Sequence, residues 1–533
     1  MCSMKNKGLF VLSFFALMLL ALGLRTYHIG QFGLFGDEKQ SLLLAVGNTN
    51  FGGMTDMLAP PKTFTPEDFW KSRGIKAWLD ADARGDVSGN SLVHDMMLKL
   101  FAFLFGKEDG VIRSVSVLFN MLTLWLLFYW ARKIRPQSRV FPIIILALAV
   151  IEPFFVIYSQ QARNYTTSIF FTTASNFYFW SAMQAENQQK STRKKWILWM
   201  LTSLAALFST YLTALVFVGQ LIFSLTQRNS WKFWQKHILS GILVIIPFAS
   251  WMLWGPGQYF LAYQADAAKQ YREFLEHSGP IAGWIEPATA GNLYKRTVSI
   301  LSDQFLWTND LYVRHGFKIG AICLLLFGVG VISWLKSLSK EVRSFYLFGI
   351  IQIAFPVLVL ILSAIHAGTT TGFFLRYASF GLPFGIFISV GLAEYAFQQA
   401  IWIRIVSSIF LFIQVNYLVQ ILLPLYSDKV QKYTFAHDRR SNPYIEIAHK
   451  IKQQYQVGDT VIYPSKMNNF LNSAHLQVRA ADVSDAQLTN VYFEPTDLYV
   501  QKIDTLIQDS VLLKKKNGRR LLIFDFKKGK YRY

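Results

Sequence analysis

Apolar stretches of roughly membrane-spanning length recur through this 533-residue chain and constrain its fold more than any other feature. A bilayer core about 30 Å thick is crossed by a helix of roughly 20 apolar residues, and spanning elements must satisfy their backbone polar groups internally. The pattern therefore predicts an all-α polytopic membrane domain of about eleven transmembrane helices. The stretches lie near residues 8–24, 112–131, 140–158, 165–183, 196–209, 210–226, 238–254, 317–335, 345–365, 377–397 and 401–423.

The region 196–226 is too long for one span and short for two, unless Ser209-Thr210-Tyr211 forms a tight turn. The basic residues lie mainly in short loops between the apolar stretches, and only two helices in this region place all those loops on one side. Because Lys and Arg concentrate in cytoplasmic loops, the N-terminus is predicted to be cytoplasmic. The loops 25–111 and 255–316 and the C-terminal tail are then extracytoplasmic.

Composition supports a membrane protein and argues against a nucleic-acid partner. Only 16% of the residues are charged, whereas soluble proteins carry about a quarter. The net charge of +21 is spread over the interhelical loops, so it is attributed to membrane orientation. Cys2 and Cys323 provide no disulfide framework, and the first apolar stretch is interpreted as a retained signal anchor because no A-x-A-like cleavage site follows it.

Two regions outside the spans have their own predicted structure. In the outer loop 25–111, Thr65-Pro66-Glu67-Asp68 is typical of a helix start, and Trp70 and Trp78 suit an interfacial helix. A second amphipathic helix is predicted over Ser91–Phe105. The tail is predicted to form a small soluble α/β domain, so the chain divides into a membrane domain, 1–425, and an extracytoplasmic domain, 426–533. Helices are expected at Pro443–Tyr455 and Asp504–Lys516, and strands at Thr460–Tyr463 and Leu521–Phe526.

The acidic pair Asp37-Glu38 follows Gly33-Leu34-Phe35-Gly36 directly after the first span. Carboxylates at the edge of a bilayer are costly to place and often functional. An alternative is a solvated pair that opens a helix and is stabilised by its dipole. The residues alone leave both interpretations open.

Four features in this order resemble the GT-C superfamily of membrane glycosyltransferases. The likeness is narrower to bacterial relatives of protein O-mannosyltransferases and of the lipid A aminoarabinose transferase. One feature is the acidic pair; the others are His94–Arg135, Pro153–Tyr165 (PFFVIYSQQARNY) and Arg376-Tyr377 with Pro383 in the following span. The third stretch is similar to the family pattern Pro-Phe…Tyr-Ser-Gln-x-Ala-Arg-x-Tyr. Asp95-Met96 stands where the family has Pro-Pro, which is a departure.

The resemblance implies that Asp37 is the catalytic base, since the family's catalytic aspartate occupies this place. Single displacement by such a base inverts the anomeric centre. Glu38 is also included as a catalytic candidate: it orients an acceptor, binds a divalent cation or caps the helix. No cofactor is assigned, and a divalent cation is left open.

Arginines at the outer ends of two spans are predicted to bind the donor phosphate. A guanidinium binds phosphate oxygens through two parallel hydrogen bonds. Arg163 and Arg376 belong to different helices, and both could converge on one phosphate. The alternative for Arg163 is a snorkelling side chain. Tyr165 and Tyr377 are substrate-binding candidates, although Tyr165 also suits a membrane-interface anchor. Arg113 is expected to pair with a carboxylate of its own loop.

His94 is a further substrate-binding candidate, near the donor sugar or a metal, although one His without a second ligand at metal spacing is weak evidence for a metal. Glu152, inside the third span, is expected to form an internal structural pair with a basic residue.

These features predict an enzyme of the cytoplasmic (inner) membrane, a hexosyl- or pentosyltransferase with its active site outside. It would move sugar from a polyprenyl-phosphate donor to a hydroxyl of a protein, lipid or glycan acceptor. The alternatives are a transporter or flippase of polyprenyl-linked glycans, which would commonly show internal repeats, and an oligosaccharide ligase. No internal repeat is visible in the sequence.

Overall fold

The fold is described from a computed structural model, which places residues 2–48, 63–70, 78–79, 91–227, 229–255, 257–427, 429, 431–433, 441–471, 477–507 and 509–529. The part that precedes the tail is helical. Its helices are Cys2–Thr26, Gly36–Ala45, Pro66–Trp70, Leu92–Phe105, Asp109–Ile134, Val140–Ile151, Pro153–Ser159, Tyr165–Asn187, Arg193–Leu207, Ala214–Thr226, Trp231–Trp254, Gln258–Ser278, Ala290–Gln304, Leu311–His315, Phe317–Ser337, Lys340–Ala367, Leu375–Ala378, Leu382–Phe397 and Ile401–Tyr426. Short 3₁₀ turns occupy Tyr211–Thr213 and Ser379–Gly381.

Every predicted apolar stretch is largely helical, so the predicted fold class is confirmed. Among the described residues, seven helices are long and apolar enough to cross a membrane, and a bent pair makes up to eight. The other three predicted spans are also helical. One, Tyr165–Asn187, is rich in buried Thr and Ser, and the remaining two are short. They are Arg193–Leu207 and Ala214–Thr226, separated at the predicted Ser209-Thr210-Tyr211 turn. The chain is a multi-pass membrane protein.

The bent pair, Val140–Ile151 and Pro153–Ser159, turns by 55° around Glu152. Proline cannot donate the hydrogen bond that would continue the first helix, and the Glu152 carboxylate accepts one from the Phe155 N–H at 2.6 Å. Fully buried Arg25 donates to the freed carbonyls of Ala149 and Val150 and interacts electrostatically with Glu152. The Glu152 carboxylate therefore caps the second helix, and Arg25 acts on it only through longer-range electrostatics; the expected ion pair is not formed between these two described residues.

The basic loops gather at one end of the bundle. Lys236 pairs with Glu186 at 2.9 Å, Ser344 donates to Gln227 at 3.1 Å, and Arg135 pairs with Glu394. The Asp37 loop and the tail lie at the opposite end, as the positive-inside pattern predicts for opposite membrane faces.

The strands of the tail are β1 (Thr460–Pro464), β2 (Met467–Leu471), β3 (Gln477–Ala481), β4 (Gln501–Asp504), β5 (Ser510–Lys514) and β6 (Arg520–Asp525). Four of them form a sheet with the order β4-β1-β5-β6. Strand β1 pairs parallel with β4 and antiparallel with β5, which pairs antiparallel with β6; β2 and β3 form a separate hairpin. The predicted helix at 504–516 is wrong, because Ser510–Lys514 alternates buried and exposed side chains as a strand. The helices of the tail are Pro443–Gln454, Ser484–Asn490 and Phe526–Gly529.

The tail shares one apolar core with the first outer loop. This core runs from Leu34 and Leu98 to Ile447 and Phe524. Backbone hydrogen bonds join Phe64 to Gln501 in an antiparallel bridge, and further hydrogen bonds link this loop to residues 491–493. A helix begins as predicted at Pro66 and is described as far as Trp70, whose ring N–H donates to the Phe493 carbonyl of the tail. Residues 71–77 lie outside the described residues, so an interfacial position of this helix stays a prediction. The division of the chain at residue 425 stays a prediction.

Candidate active site

The acidic pair lies at the first turn of the helix Gly36–Ala45, where helix N-termini favour negative charge. The Glu38 carboxylate accepts a hydrogen bond from the Phe35 N–H at 3.1 Å, which closes the turn. Because the two residues are adjacent, their side chains point in different directions around the helix. Glu38 is turned into the protein and is 1% exposed, whereas the Asp37 side chain is 36% exposed.

Glu38 is held on both oxygens by the protein itself. Arg113 donates to each oxygen at 2.8 Å, and the Ala162 N–H donates to one at 2.7 Å. The same guanidinium also donates to the carbonyls of residues 29, 32 and 33. Arg113 therefore pairs with a carboxylate of its own loop, as expected. Of the roles considered for Glu38, the helix-start role fits this geometry, and contact with a substrate does not.

Arg163 lies directly behind Asp37. Its guanidinium is 4.0 Å from the Asp37 carboxylate and donates to the Asp37 carbonyl at 3.1 Å and to Ser41 Oγ at 3.3 Å. The residue is only 4% exposed, which is not the position of a side chain snorkelling towards water. Arg163 is held in place by the helix that carries Asp37.

A second arginine, Arg376, lies on another helix within electrostatic range of the same carboxylate. It interacts electrostatically with Tyr165, Tyr377, Tyr158 and Asp37, and its guanidinium lies 4.9 Å from the centre of the Tyr377 ring. Arg163 and Arg376 are 213 positions apart in the sequence, and the fold places Arg163 at 4.0 Å from the Asp37 carboxylate and Arg376 within its electrostatic range. The structure thus combines one accessible carboxylate with two guanidinium groups.

Aromatic rings line the space around these charges. Tyr165 lies 6.0 Å below the Arg163 guanidinium and packs edge-on against Tyr158 at 4.8 Å. Tyr271, which the sequence did not single out, joins them from the helix Gln258–Ser278. Burial raises the pKa of Tyr271, whose surroundings include Tyr377, Arg376 and Asp37. Its helix lies in the outer loop 255–316, and no motif around it distinguishes it.

His94 lies behind Arg163 rather than in the open site. It is fully buried, and its Nδ1 lies 2.9 Å from Thr167 Oγ1. Burial, reinforced by the positive charge of Arg163, lowers the pKa of His94 to about 3. The prediction that His94 touches the substrate does not agree with this burial; its position suits support of Arg163. Within the described residues, no group of three or more His, Cys, Asp or Glu could hold a metal ion.

A cavity of about 220 Å³ adjoins this cluster of charges and rings, because Arg376 and Tyr158 also line the cavity. Its floor is a charged cluster in which Lys432 pairs with Asp303 and Asp310, each at 2.9 Å. Arg296 on its wall pairs with Glu286 at 3.0 Å. The sequence analysis did not identify this charged cluster or the Arg296–Glu286 pair, because their residues come from separate loops and helices.

Comparison with known proteins gives one family match. Residues 90–254 match the model of the dolichyl-phosphate-mannose-protein mannosyltransferases, and this segment contains His94 and Arg163. No curated protein matches the chain.

Two solved structures show a distant likeness. ArnT from Cupriavidus metallidurans bound to undecaprenyl phosphate is 11% identical, with a TM-score of 0.42 over 84% of this chain and 73% of that one. AglB from Archaeoglobus fulgidus, in complex with an inhibitory peptide and a dolichol-phosphate, is 10% identical, with a TM-score of 0.48 over 84% of this chain and 58% of that one. Likenesses this remote say nothing about activity.

The family match confirms the resemblance that the motifs carried. Through its segment 90–254 this chain is similar to the dolichyl-phosphate-mannose-protein mannosyltransferases, and it resembles the GT-C membrane glycosyltransferases.

Proposed function

We propose that this protein transfers a sugar from a polyprenyl-phosphate donor to an acceptor hydroxyl, with inversion and with Asp37 as the base. The observation that carries the proposal is the accessible Asp37 carboxylate flanked by Arg163 and Arg376. The description of the matching family, which names a dolichyl-phosphate-linked sugar, supports this class of donor.

The chemistry needs a base for the acceptor hydroxyl and cations for the departing phosphate. Asp37 takes the proton of the acceptor hydroxyl as its oxygen forms a bond to the anomeric carbon. The bond from that carbon to the phosphate oxygen breaks, and its electron pair leaves with the lipid phosphate. Arg163 and Arg376 stabilise the growing negative charge on the phosphate, in a partly buried site where such contacts strengthen.

The rings of Tyr165 and Tyr377 complete the donor site beside the two arginines. Since Asp37 lies at the end of the bundle opposite to the basic loops, we place the reaction and the tail on the extracytoplasmic face of the cytoplasmic membrane. The acceptor, whether protein, lipid or glycan, enters from the aqueous side, where Asp37 is exposed.

The test compares wild-type protein with Asp37→Asn in lipid nanodiscs, using radiolabelled polyprenyl-phosphate sugars and membrane acceptors. Removing a general base should lower the transfer rate by about 10²–10⁴-fold, while affinity for polyprenyl phosphate stays within about twofold. Glu67→Gln, an exposed acidic residue of the same outer loop, is the matched control and should transfer normally. Full transfer by Asp37→Asn would overturn the role of Asp37.

The donor site is tested with bare polyprenyl phosphate. Arg163→Ala and Arg376→Ala should each weaken its binding by about tenfold or more, because a charge-assisted contact is lost. Arg404→Ala, on the basic end of the bundle, should leave binding unchanged. Should wild-type and Asp37→Asn proteins both move lipid-linked sugar between leaflets of proteoliposomes without transfer, the flippase alternative would replace the enzyme.

A further inference from the structure

The turn that joins β5 to β6 in the tail is strongly basic. Five of the seven residues 514–520 are Lys or Arg, and we call this segment the basic hairpin. With the tail placed outside, the positive-inside rule does not explain this charge, because that rule concerns the Lys and Arg residues of short cytoplasmic loops.

The basic hairpin is held in a fixed shape. The Asp459 carboxylate, in a residue that is 2% exposed, accepts hydrogen bonds from Lys515 Nζ at 2.8 Å, from the Lys516 N–H at 3.1 Å and from the Gln456 N–H at 2.9 Å. The Gly518 N–H donates to the Lys515 carbonyl at 2.8 Å and closes the turn. A surface that is ordered in advance loses less entropy when a partner binds.

The charge of the basic hairpin exceeds what its own structure neutralises. After Asp459 has paired with Lys515, four exposed basic side chains remain: Lys514, Lys516, Arg519 and Arg520. Lys514 lies directly opposite Arg520 in the strand register, and like charges in such positions destabilise a sheet. An anion bound between these side chains would offset that repulsion.

The composition of the basic hairpin indicates the kind of anion. Residues 514–520 include no apolar side chain, whereas segments that bind membrane surfaces combine Lys and Arg with Trp, Phe or Leu. Protein partners are bound mainly through aromatic and other buried anchors. An anionic polysaccharide requires neither, because its carboxylates or phosphates form charge-assisted hydrogen bonds with Lys and Arg.

The helix Pro443–Gln454 connects the basic hairpin with the loop of Asp37. At the start of this helix, Asn442 lies against Gly33 of that loop. At its end, a carbonyl accepts a hydrogen bond from Lys515 at 2.6 Å. Twelve helical residues span about 18 Å, so a bound chain of several sugar units is long enough to extend from the basic hairpin to the Asp37 loop.

We infer that the basic hairpin docks a polyanionic glycan and that this glycan carries the acceptor hydroxyl. Its role as acceptor rests on the proposed function, including the outer placement of the tail. Attachment at a second point raises the local concentration of the glycan's hydroxyls near Asp37.

Binding is tested with protein in nanodiscs of neutral lipid, titrated with polygalacturonate and with neutral dextran of similar length. The hairpin variant combines Lys514→Gln, Lys516→Gln, Arg519→Gln and Arg520→Gln. The control variant removes the same number of charges at the opposite end of the bundle, with Lys190→Gln, Arg193→Gln, Lys194→Gln and Lys195→Gln. The hairpin variant should bind polygalacturonate about tenfold or more weakly than wild type, and the control variant should keep wild-type affinity. Added salt should weaken the wild-type interaction, and dextran should bind none of the three proteins.

A single charge reversal separates binding from folding. Lys514→Glu places opposite charges across the strands at Arg520, so protease resistance of the tail should equal or exceed that of wild type. The same variant should bind polygalacturonate several-fold more weakly, because an attractive charge has become a repulsive one. Unchanged binding in Lys514→Glu would contradict the inference.

The acceptor role is tested by transfer to membrane acceptors. The hairpin variant should raise the KM for acceptor by several-fold and leave kcat unchanged, because the base and the donor site are intact. An unchanged KM would overturn the acceptor role while leaving Asp37 chemistry intact.

Other outcomes would overturn the docking of a glycan. Equal losses of polygalacturonate binding in the hairpin and control variants would show unspecific charge attraction. Tighter binding to anionic phospholipid vesicles or to polyglutamate than to polygalacturonate would assign the surface to a membrane or to an acidic protein. Absence of transfer by the wild-type protein would overturn the proposed function and the acceptor role, whereas binding at the basic hairpin is measured independently by titration.

Discussion

Adjacent carboxylates in this protein have opposite environments. Asp37 faces the solvent near two guanidinium groups, whereas Glu38 is buried and bonded to Arg113 and the Ala162 N–H. The sequence identified the pair but could not divide the roles, because the direction of each side chain depends on where Arg113 and residues 160–163 pack. Arg163 and Arg376 were identifiable as cations at helix ends; their convergence depends on tertiary structure.

Replacing Glu38 tests its structural role. In Glu38→Gln the Arg113 charge, only 4% exposed, loses its ionic partner, and breaking a buried pair in this way typically costs about 3–5 kcal/mol. Chemical unfolding in detergent micelles, followed by tryptophan fluorescence, should show this loss in the free energy of unfolding.

The matched control is Glu273→Gln. Its side chain is 53% exposed and pairs with Lys269 at 3.8 Å, so its removal should change stability by less than about 1 kcal/mol. Equal stability losses in the two variants would contradict the anchoring role of Glu38.

The buried His94 should make stability depend on pH. Its pKa falls from 6.5 in the unfolded chain to about 3 in the folded protein, so the unfolded chain binds more protons between these values. The stabilisation is therefore complete above about pH 6.5 and is lost as pH falls, by at most about 1.4 kcal/mol per pH unit. Unfolding measured from pH 7 to 5 should have a flatter slope in His94→Asn than in wild type, and exposed His277→Asn should keep the wild-type slope.

At the scale of elements, the sequence predicted the secondary structure of the apolar spans more reliably than that of the tail. Even the division of 196–226 was predictable, since the basic loops required an extra turn there. The prediction of a helix over Asp504–Lys516 is wrong because the pairing of β5 with β1 and β6 outweighs the local helix preference of this segment. The cavity beside Arg376 could not be predicted from the sequence pattern, because its lining residues come from segments far apart in the chain.

The contact between the Asp37 loop and the tail depends on the absence of a side chain at Gly33. A Cβ atom there would lie 3.0 Å from the Asn442 Cα and 3.1 Å from the Ser441 carbonyl oxygen. Gly33→Ala should therefore destabilise the protein by about 1–3 kcal/mol, as overpacking does, and increase proteolysis between the last span and the tail. Gly36→Ala meets nothing within 4 Å and serves as the control; equal protease resistance in both variants would contradict a tight contact.

At the scale of the whole molecule, the two ends of the bundle differ in charge, and this predicts orientation. In a background without native cysteines, a cysteine at exposed Leu506 of the tail should react with a membrane-impermeant maleimide on intact cells or spheroplasts. A cysteine at Lys190, in a basic loop, should react only after the membrane is permeabilised. The reverse labelling would overturn the proposed placement of the active site.

The apolar core shared by the first outer loop and the tail has a consequence for biogenesis. Residues such as Leu34 and Leu98 leave the ribosome more than 300 positions before their partners Ile447 and Phe524. During synthesis the apolar surface of the segment around Asp37 therefore stays uncovered until the tail has been translated and has folded against it. Ending translation before the tail should therefore yield a protein that inserts into the bilayer but is recognised by quality-control proteases, so activity depends on translation of the tail.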